Sequence, residues 1–258
     1  MEYSVIRFET ANDVATITLN RPALKNALNV QMRAEITHAV KAAERNARVL
    51  VIGGAGDAFC SGQDLGDSGN ATNLDLERTL RDEYVPMLKA ISDCKIPTIC
   101  AVHGAAAGAG ANLALAADVV IAAEEAYFIQ AFTRIGLIPD AGGTYFLPRQ
   151  MGSARAMGAA LFGDKITGRD AADWGMIYEA VPLKTFDVHV AKRALHLASG
   201  PTAAYQRVKT ALRGSFENTL DQQLATEARL QGECGKTRDF QEGVLAFLEK
   251  RTPHFEGR

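Results

Sequence analysis

The chain has 258 residues, of which 47% are hydrophobic and 22% are charged, enough for one large α/β domain or for a core with a small appendage. Its net charge is -2 and its pI is about 6.2, so no overall field would attract nucleic acid or an anionic membrane. The four cysteines are scattered without a CxxC pair. This spacing predicts neither a disulfide framework nor a metal site, and it favours a reducing, cytoplasmic compartment.

The N-terminal segment carries acids and has the alternation of a strand, so we do not expect a signal peptide. Residues 104–123 are the most apolar region, but Asn112 and Asp118 interrupt them. A membrane span is therefore not expected there.

The first fifty residues alternate with period two and then change to a helical period. Residues 4–8 and 14–19 are β-rich runs separated by Ala11-Asn12-Asp13, which is a hairpin signal. Residues 48–52 predict a short buried strand, so the first unit is β-β-α-β. The helix of this unit can be capped by Asn29, and one of its faces carries Met32, Ile36, Val40 and Ala43.

A similar succession follows along the chain. Residues 74–91 predict a charged amphipathic helix, and residues 98–102 predict a buried strand. Residues 104–117 are rich in alanine and compatible with a helix beyond their glycines. Strands are predicted again at residues 118–122 and 126–129. This alternation favours an α/β fold made of repeated turns of one right-handed winding.

The β signal disappears after Val181, and four helices are predicted at residues 183–199, 202–213, 219–232 and 239–250. A shorter helix before them should begin at Thr167 and end at Gly175. We therefore predict a core formed by residues 1–199. Residues 200–258 should form a helical region that folds back on this core or packs on another subunit.

Asp140 is the one carboxylate between residues 127 and 151, and it lies on a Pro-Asp-Ala-Gly-Gly turn. A carboxylate that is kept partly dry has a raised pKa, which suits a general base. The alternative is that Asp140 caps a short helix beginning in the sequence that follows. The residues of the turn alone leave both interpretations open.

Three segments share an apolar strand, glycines and an apolar helix: residues 49–62, 99–110 and 136–144. A dinucleotide site is one interpretation of the second, because Glu124 follows at about the spacing of a ribose-binding acid. However, Leu113 stands where that motif has its third glycine. The other interpretation is a pair of bare backbone N–H groups that form an oxyanion hole. Close packing of strand against helix also favours small residues and stays an alternative.

Five stretches together resemble the enoyl-CoA hydratase/isomerase (crotonase) family across nearly the full length. They are residues 19–22 with 26–29, 58–65, 103–118, 138–144 and 247–251. The resemblance implies a spiral of repeated ββα turns and a C-terminal helical trimerisation region. It also implies a coenzyme A thioester as substrate, no permanently bound cofactor, and a homotrimer or a dimer of trimers.

The resemblance implies site residues as well. It places the oxyanion-hole N–H groups on Gln63 and Ala109. It implies that coenzyme A binds near the segment Ala23, Leu24 and Lys25 and along the loop that carries Ser61, Asp64 and Leu65. A neighbouring subunit's tail often contributes in this family, which here indicates Phe247 and Lys250. A solvated helix end is the alternative for Lys250.

The chain departs from the family where hydratases carry two glutamates that position water and move protons. Those positions are occupied by Asn112 and Phe132. Asn112 can orient a group by hydrogen bonds but cannot exchange a proton, whereas Phe132 makes that wall apolar and suits an aromatic or cyclic acyl group. Asp140 occupies the position where isomerases of the family often keep their single acid. Tyr145 or its neighbour Phe146 is expected to line the acyl pocket.

Three functions are therefore open. The first is an acyl-CoA isomerase that uses Asp140 as its proton shuttle, and several stretches resemble the family members that isomerise an aromatic-ring epoxide. The second is an enoyl-CoA hydratase with an unusual water site. The third is a non-catalytic relative that binds coenzyme A or RNA, although the near-neutral charge speaks against nucleic acid.

Overall fold

The computed structural model describes residues 2–66 and 75–258, and ten strands of this part form two sheets. The larger sheet contains, in spatial order, β1 (Ile6–Ala11), β2 (Val14–Leu19), β3 (Val49–Gly54), β5 (Thr98–Val102), β7 (Val119–Ala123) and β10 (Glu179–Val181). The smaller sheet contains β4 (Ala58–Cys60), β6 (Ala105–Ala107), β8 (Tyr127–Ile129) and β9 (Lys165–Thr167).

The chain passes alternately between these two sheets from β3 to β8. The strands β2, β3, β5, β7 and β10 are parallel neighbours in the larger sheet, and β4, β6 and β8 are parallel in the smaller one. Antiparallel pairing is confined to the edges, where β1 meets β2 and β8 meets β9. Each turn of the chain thus adds one strand to both sheets, which confirms the predicted spiral of an α/β fold.

Eleven α-helices lie in the described part of the chain. They are α1 (Val30–Asn46), α2 (Leu76–Thr79), α3 (Val85–Ser92), α4 (Ala109–Leu115), α5 (Gly143–Met151), α6 (Ser153–Phe162), α7 (Gly168–Asp173), α8 (Leu183–Ala198), α9 (Thr202–Gly214), α10 (Leu220–Cys234) and α11 (Arg238–Glu249). Short 3₁₀ segments occupy Pro22–Leu24 and Ala131–Ile135. None of the helices in residues 2–66 and 75–258 is both long and apolar enough to cross a bilayer.

The local signals at the N-terminus act as predicted. Asn12 and Asp13 adopt φ values of 51° and 60°, the left-handed conformation that a tight hairpin between β1 and β2 requires. The Asn29 side chain accepts a hydrogen bond from Met32 N at 2.9 Å and so caps α1. The predicted apolar face of α1 is buried against the larger sheet.

Two predicted elements differ in the structure. The helix predicted over residues 74–91 begins at Leu74, which lies outside the described residues, and it is divided by a π-helical turn at Leu80–Tyr84. Val85 N donates to Leu80 O across this turn, and Pro86 has no N–H for the next bond of an α-helix. Residues 104–117 begin with the strand β6 before α4, because β4 and β8 pair with this segment on either side.

The C-terminal helices fold back on the α/β core. Helix α8 buries Phe186, Val190 and Ala194 and contacts β2, β3 and β7. Helix α9 is attached by ion pairs, since Asp118 meets Lys209 Nζ at 2.6 Å and an Arg213 nitrogen at 2.7 Å. Every residue of α9 is described and none is buried. Helix α8 is thus attached to the core by apolar packing, whereas α9 is attached by ion pairs.

Candidate active site

A cavity of about 160 Å³ opens at the carboxyl ends of β4, β6 and β8. Because parallel strands end at the same edge of a sheet, the loops that follow these three strands meet there. The cavity is lined by the three residues that the sequence marked as catalytic, Gln63, Ala109 and Asp140. Other lining residues are Ser61, Gly62, Leu65, Leu76, Thr79, Leu80, Tyr84, Ala107, Gly108, Ala131, Phe132, Ile135 and Leu137.

The two amides predicted to form an anion site are both free to donate. Ala109 is the first residue of α4, so its N–H has no partner within the helix. Gln63 lies opposite Leu28 in an isolated β-bridge. The two hydrogen bonds of this bridge run from Leu28 N to Gly62 O and from Asp64 N to Leu28 O, so the N–H of Gln63 takes part in neither. Among the described residues, neither amide has an acceptor. An oxyanion could therefore accept hydrogen bonds from both N–H groups without displacing a native bond.

Gly62 brings the two amides together. Its φ is +95°, and a Cβ atom there would lie 2.7 Å from Ala107 O and 3.4 Å from Ala109 N. The first distance is shorter than any real Cβ contact, and the conformation itself disfavours L side chains. Only glycine therefore lets the loop after β4 lie directly against the start of α4.

Asp140 is the one carboxylate among the described residues that line the cavity. Its Oδ1 is a buried atom with no hydrogen-bond partner in the described part of the chain. Burial raises the pKa of Asp140 from 3.8 to about 6, against a smaller opposing contribution from its own backbone N–H. A carboxylate with this pKa is ionised at neutral pH yet accepts a proton readily, as a general base must.

The capping interpretation of Asp140 is wrong. Helix α5 begins after Gly142, and no side chain in the described residues caps it. The Asp140 carbonyl oxygen, not its carboxylate, accepts a bond from Gly143 N at 2.8 Å. The carboxylate thus leaves Oδ1 without a partner in the described part of the chain.

Asn112 lies behind the cavity and does not line it, contrary to the prediction of a substrate contact. It is fully buried and its Nδ2 donates to the carbonyl oxygen of Asp140 at 2.8 Å. Its Oδ1 accepts from Nε2 of Gln130, also fully buried, at 2.9 Å. One end of the Asn112 amide therefore holds the backbone that carries Asp140, and the other end is held by Gln130. Gln130 was missed by sequence reasoning, although a lone amide at the end of the apolar strand β8 was a visible signal.

Phe132 forms an apolar wall of the cavity, as predicted. It is 8% exposed, and its ring lies 3.6 Å from where a Cβ on Gly108 would be. Since Gly108 has no side chain, the Phe132 ring lies close to the Gly108 backbone at this wall. With Ile135 and Leu137 alongside, this wall offers no group that could hold a water molecule.

A buried polar network that the sequence did not indicate supports Gln63. Tyr84, which is 2% exposed, donates its hydroxyl proton to Gln63 Oε1. Arg33 Nη1 donates to the same oxygen at 3.1 Å, and Arg33 Nε donates to Glu83 Oε2 at 3.0 Å. Burial raises the pKa of Tyr84, Arg33 lowers it and Asp140 raises it further, so the phenol stays neutral. These residues come from α1 and the π-helical turn, and periodicity alone does not show that the two elements meet at Gln63.

The segments predicted to bind coenzyme A lie side by side at the cavity mouth. Ser61 N donates to Lys25 O at 2.9 Å, and the Ser61 hydroxyl donates to Leu24 O at 3.2 Å. Ala23 belongs to the same 3₁₀ turn, Pro22–Leu24. Leu24 and Leu65 are about half exposed, which leaves apolar surface for a ligand.

Asp64 braces this loop. It forms an ion pair with Arg21 at 2.8 Å, and its other oxygen accepts from Gly66 N at 3.0 Å. Both oxygens are therefore engaged by the protein, and this geometry does not support the predicted direct contact of Asp64 with a ligand.

Three predicted substrate contacts lie away from the cavity within one chain. Tyr145 is 42% exposed, stacks edge-on against Phe146 and lies under the Arg149 guanidinium at 3.7 Å, so the expectation that it lines the acyl pocket is wrong. Phe247 is 81% exposed on α11, and Lys250 ends that helix in the left-handed conformation. Neither reaches the cavity of its own chain, so a contact with substrate stays a prediction about a neighbouring subunit.

The other polar residues of the core have structural partners. His103 Nε2 lies 3.0 Å from Gly56 O, and Asp118 accepts from Thr98 N at 2.8 Å. No group of three or more His, Cys, Asp or Glu side chains in the described ranges is arranged to hold a metal ion.

The sequence matches known proteins along its whole length. A model of the enoyl-CoA hydratase/isomerase family matches residues 9–258. The chain is 60% identical over 258 residues to a protein of Rhodobacter capsulatus called a probable enoyl-CoA hydratase, and the alignment covers 100% of both chains. It is 44% identical over 250 residues to the 1,2-epoxyphenylacetyl-CoA isomerase of Escherichia coli, with 95% of each chain covered.

Solved structures agree with the fold. The enoyl-CoA hydratase of Bacillus anthracis is similar with a TM-score of 0.91 at 30% identity, and the alignment covers 99% of this chain and 100% of that one. That of Polaromonas sp. JS666 is similar with a TM-score of 0.92 at 31% identity, covering 97% and 99%. These similarities show that the chain belongs to the enoyl-CoA hydratase/isomerase family and has the crotonase fold.

Proposed function

We propose that this protein is an acyl-CoA isomerase in which Asp140 moves one proton across a thioester enolate. The observation that carries the proposal is the state of Asp140: a partly dry carboxylate, with an unpartnered buried oxygen, in the cavity that two free amides also line. Asn112 and Phe132 leave no second acid among the described lining residues. A single base is sufficient for a proton shift, because the proton that is removed is the proton that is returned.

The reaction of a 3-enoyl-CoA illustrates the chemistry. The thioester oxygen accepts hydrogen bonds from the N–H groups of Gln63 and Ala109, and the Asp140 carboxylate removes a proton from the α carbon. The double bond and the negative charge then spread over the dienolate, with charge on the oxygen between the two amides. Asp140, now protonated, returns the proton to the γ carbon and forms the 2-enoyl-CoA.

An aromatic epoxide is the acyl group that we favour. The isomerase of Escherichia coli that shares 44% of its residues with this chain acts, by its name, on 1,2-epoxyphenylacetyl-CoA. The apolar wall formed by Phe132 would suit a flat ring. The same transfer, from the α carbon to a ring carbon, would accompany rearrangement of the ring epoxide to an oxepin. This reaction would place the protein in phenylacetate catabolism.

We further propose that coenzyme A runs over Ala23, Leu24 and Lys25 and along Ser61 and Leu65, with the acyl end in the cavity. A trimer, or a dimer of trimers, would cover the apolar side chains that α9, α10 and α11 expose. Examples are Leu212, Phe216, Leu220, Phe240 and Leu248, each more than half exposed. In such an assembly residues 200–258 would be the oligomerisation region, and Phe247 and Lys250 of a neighbour could meet coenzyme A.

Hydration of a 2-enoyl-CoA is the second candidate. It is favoured by the probable enoyl-CoA hydratase of Rhodobacter capsulatus, which shares 60% of its residues with this chain. The cavity supports it less well, because water addition needs a group to position the water as well as a proton donor. A pure coenzyme A binder is the third candidate.

A product panel separates these candidates. We expect the purified protein to convert a 3-enoyl-CoA to the 2-enoyl-CoA, and 1,2-epoxyphenylacetyl-CoA to an oxepin-CoA, at least ten times faster than it hydrates crotonyl-CoA. Chromatography with mass spectrometry identifies the products. Hydration at a comparable rate would favour the hydratase. Tight binding of the esters without exchange of solvent deuterium at the α or γ carbon would support the binder.

The substitution Asp140→Asn should reduce kcat for the 3-enoyl-CoA by about 10² to 10⁴-fold, since an amide cannot take the proton. Initial rates at pH 7.5 measure the change. Asp164→Asn is the matched control, because Asp164 is exposed and does not line the cavity. If Asp140→Asn keeps most of the turnover, the proposed mechanism is wrong.

The free energy of unfolding shows whether a loss of kcat in Asp140→Asn reflects misfolding. The folded-state pKa of Asp140, about 6, lies above its ordinary 3.8, so the folded protein loses stability as the pH rises from about 4 to about 6. The amide that replaces this carboxylate in the Asp140→Asn protein carries no charge to bury. Chemical denaturation at pH 7 should therefore show that the Asp140→Asn protein is more stable, by on the order of 1–2 kcal/mol after allowing for partial solvent exposure, with the gain vanishing near pH 4.

The pH dependence of isomerisation should show the ionisation of Asp140. The base must be deprotonated to act, so kcat/KM should rise with pH through a single ionisation near 6 and then level off. Rates between pH 4.5 and 8.5 on the 3-enoyl-CoA give the profile. A profile flat down to pH 4.5 would contradict the raised pKa of this carboxylate.

Asn112→Leu should lower kcat about 10-fold and change KM less than 3-fold, because it removes the side-chain bond to the Asp140 carbonyl but no contact with substrate. Gln130→Leu is the control: it breaks the same buried amide pair but leaves that bond in place. Steady-state kinetics should show the larger fall for Asn112→Leu, together with a shifted pH profile. Equal losses in the two variants would mean that the effect comes from core packing.

A further inference from the structure

The side-chain amide of Gln63 is held in one orientation by two donors. Arg33 Nη1 and the Tyr84 hydroxyl both donate to Gln63 Oε1. A guanidinium has only donors, so the atom of the amide that faces Arg33 must be the oxygen. The direction of the NH₂ group follows from this chemistry, because it is the other end of the same planar amide.

The two anchors are themselves fixed. Arg33 is 2% exposed, donates to Leu28 O at 2.7 Å and pairs with Glu83, and its guanidinium lies 4.8 Å from the centre of the Tyr84 ring. Tyr84 is 2% exposed and neutral, so its hydroxyl keeps the proton that it donates. The orientation of the Gln63 amide is therefore set by a buried and charged network, and reversing it would leave donors facing donors.

The NH₂ group itself has no use within the described part of the protein. Gln63 Nε2 donates to no acceptor there, and it is not sealed from solvent either. The buried side-chain atoms without a partner in residues 2–66 and 75–258 are Asp140 Oδ1, Gln150 Oε1 and Arg207 Nε. Because Gln63 lines the cavity, its two remaining donors are open to what the cavity holds.

We propose that Gln63 binds the substrate twice. Its backbone N–H donates to the thioester oxygen, and its Nε2 donates to a second oxygen on the acyl group, within the reach of one glutamine side chain. This inference rests on the proposed function for the position of the thioester. It names the substrate class: acyl-CoA esters that carry an ether, epoxide, hydroxyl or carbonyl oxygen a few bonds from the thioester.

The apolar part of the cavity gives this contact its selectivity. Phe132, Ile135 and Leu137 are apolar, and an ionised Asp140 can accept but not donate. An acyl oxygen placed against them would lose its hydrogen bonds to water without replacement, whereas the Gln63 NH₂ restores one. Such a site discriminates between acyl groups, because binding the wrong one leaves a polar group without a hydrogen bond.

An oxygen scan tests the inference by binding alone. Saturated acyl-CoA esters are prepared in which one methylene after the α carbon is replaced by an ether oxygen, one position at a time. Calorimetry gives the ratio of the Kd of the all-carbon ester to that of each ether. For at least one position, this ratio should be about 10-fold higher in the wild-type protein than in Gln63→Glu.

Gln63→Glu is the sharp variant because the carboxylate still accepts from Arg33 and Tyr84 but has no NH₂. Gln63→Met removes the whole amide and should lower the ratio as much, which separates loss of the donor from the added charge. Tyr84→Phe keeps the NH₂ and loses one anchor, so the ratio should fall by no more than about 3-fold. Thermal unfolding of each variant confirms that it is folded.

The outcomes distinguish the inference from the proposed function. Saturated esters cannot isomerise, so a Gln63-dependent preference for an ether, in a protein that converts no enoyl-CoA, would refute the isomerase and keep the inference. A second outcome is that the protein isomerises a 3-enoyl-CoA but the Kd ratio at every position is the same in wild type, Gln63→Glu and Gln63→Met. This outcome would refute the inference alone. Binding to none of the esters would refute both.

Discussion

The site depends on one close approach of backbone to backbone. Strands β4 and β6 are parallel neighbours, and beyond their ends Gly62 lies against Ala107 and Ala109 with no room for a side chain. Gly110 allows the same closeness from the other side, since a Cβ there would lie 2.4 Å from Cys60 O. Any side chain at these positions would force the strands apart. The two donor amides would then no longer face the same point, and an oxyanion would lose one of them.

The carboxylate that lines the same cavity is maintained at a cost in stability. Asp140 has a buried oxygen without a partner among the described residues, and the next residue, Ala141, is held at a φ of 49°. The buried pair of Asn112 and Gln130 holds this turn from behind, with each amide satisfying the other. A buried carboxylate without hydrogen-bond partners lowers the stability of the folded protein relative to a solvated carboxylate, but it is more basic. Stability given up for basicity at one residue is a common pattern at catalytic sites.

The position of Asn112 explains how the turn that carries Asp140 is held in place. Family hydratases have an acid at this position, whereas the amide here reaches the Asp140 carbonyl and fills the space beside Gly143. The residue that replaces one acid thus supports the acid that remains. On the opposite wall, Arg33 and Tyr84 play the corresponding part for Gln63. Both halves of the proposed reaction, base and anion site, would therefore depend on buried polar networks whose members come from separate segments of the chain.

Sequence by itself determined the elements with a strong local cause. Asn12 and Asp13 permit the hairpin, Asn29 caps α1, and the apolar periods define the strands and the C-terminal helices. The resemblance to the family also pointed to Gln63, Ala109 and Asp140, whereas the glycines and the lone acid by themselves left close packing and helix capping open.

Tertiary structure alone decided what each polar group faces. The strand at 105–107 and the turn of Asn112 away from the cavity both follow from contacts between segments far apart in the chain. Local propensity does not encode such contacts, since the same amide or phenol satisfies its hydrogen bonds in many environments. The sequence thus predicted which residues could do chemistry. The fold decided which of them meet the substrate and which hold the others in place.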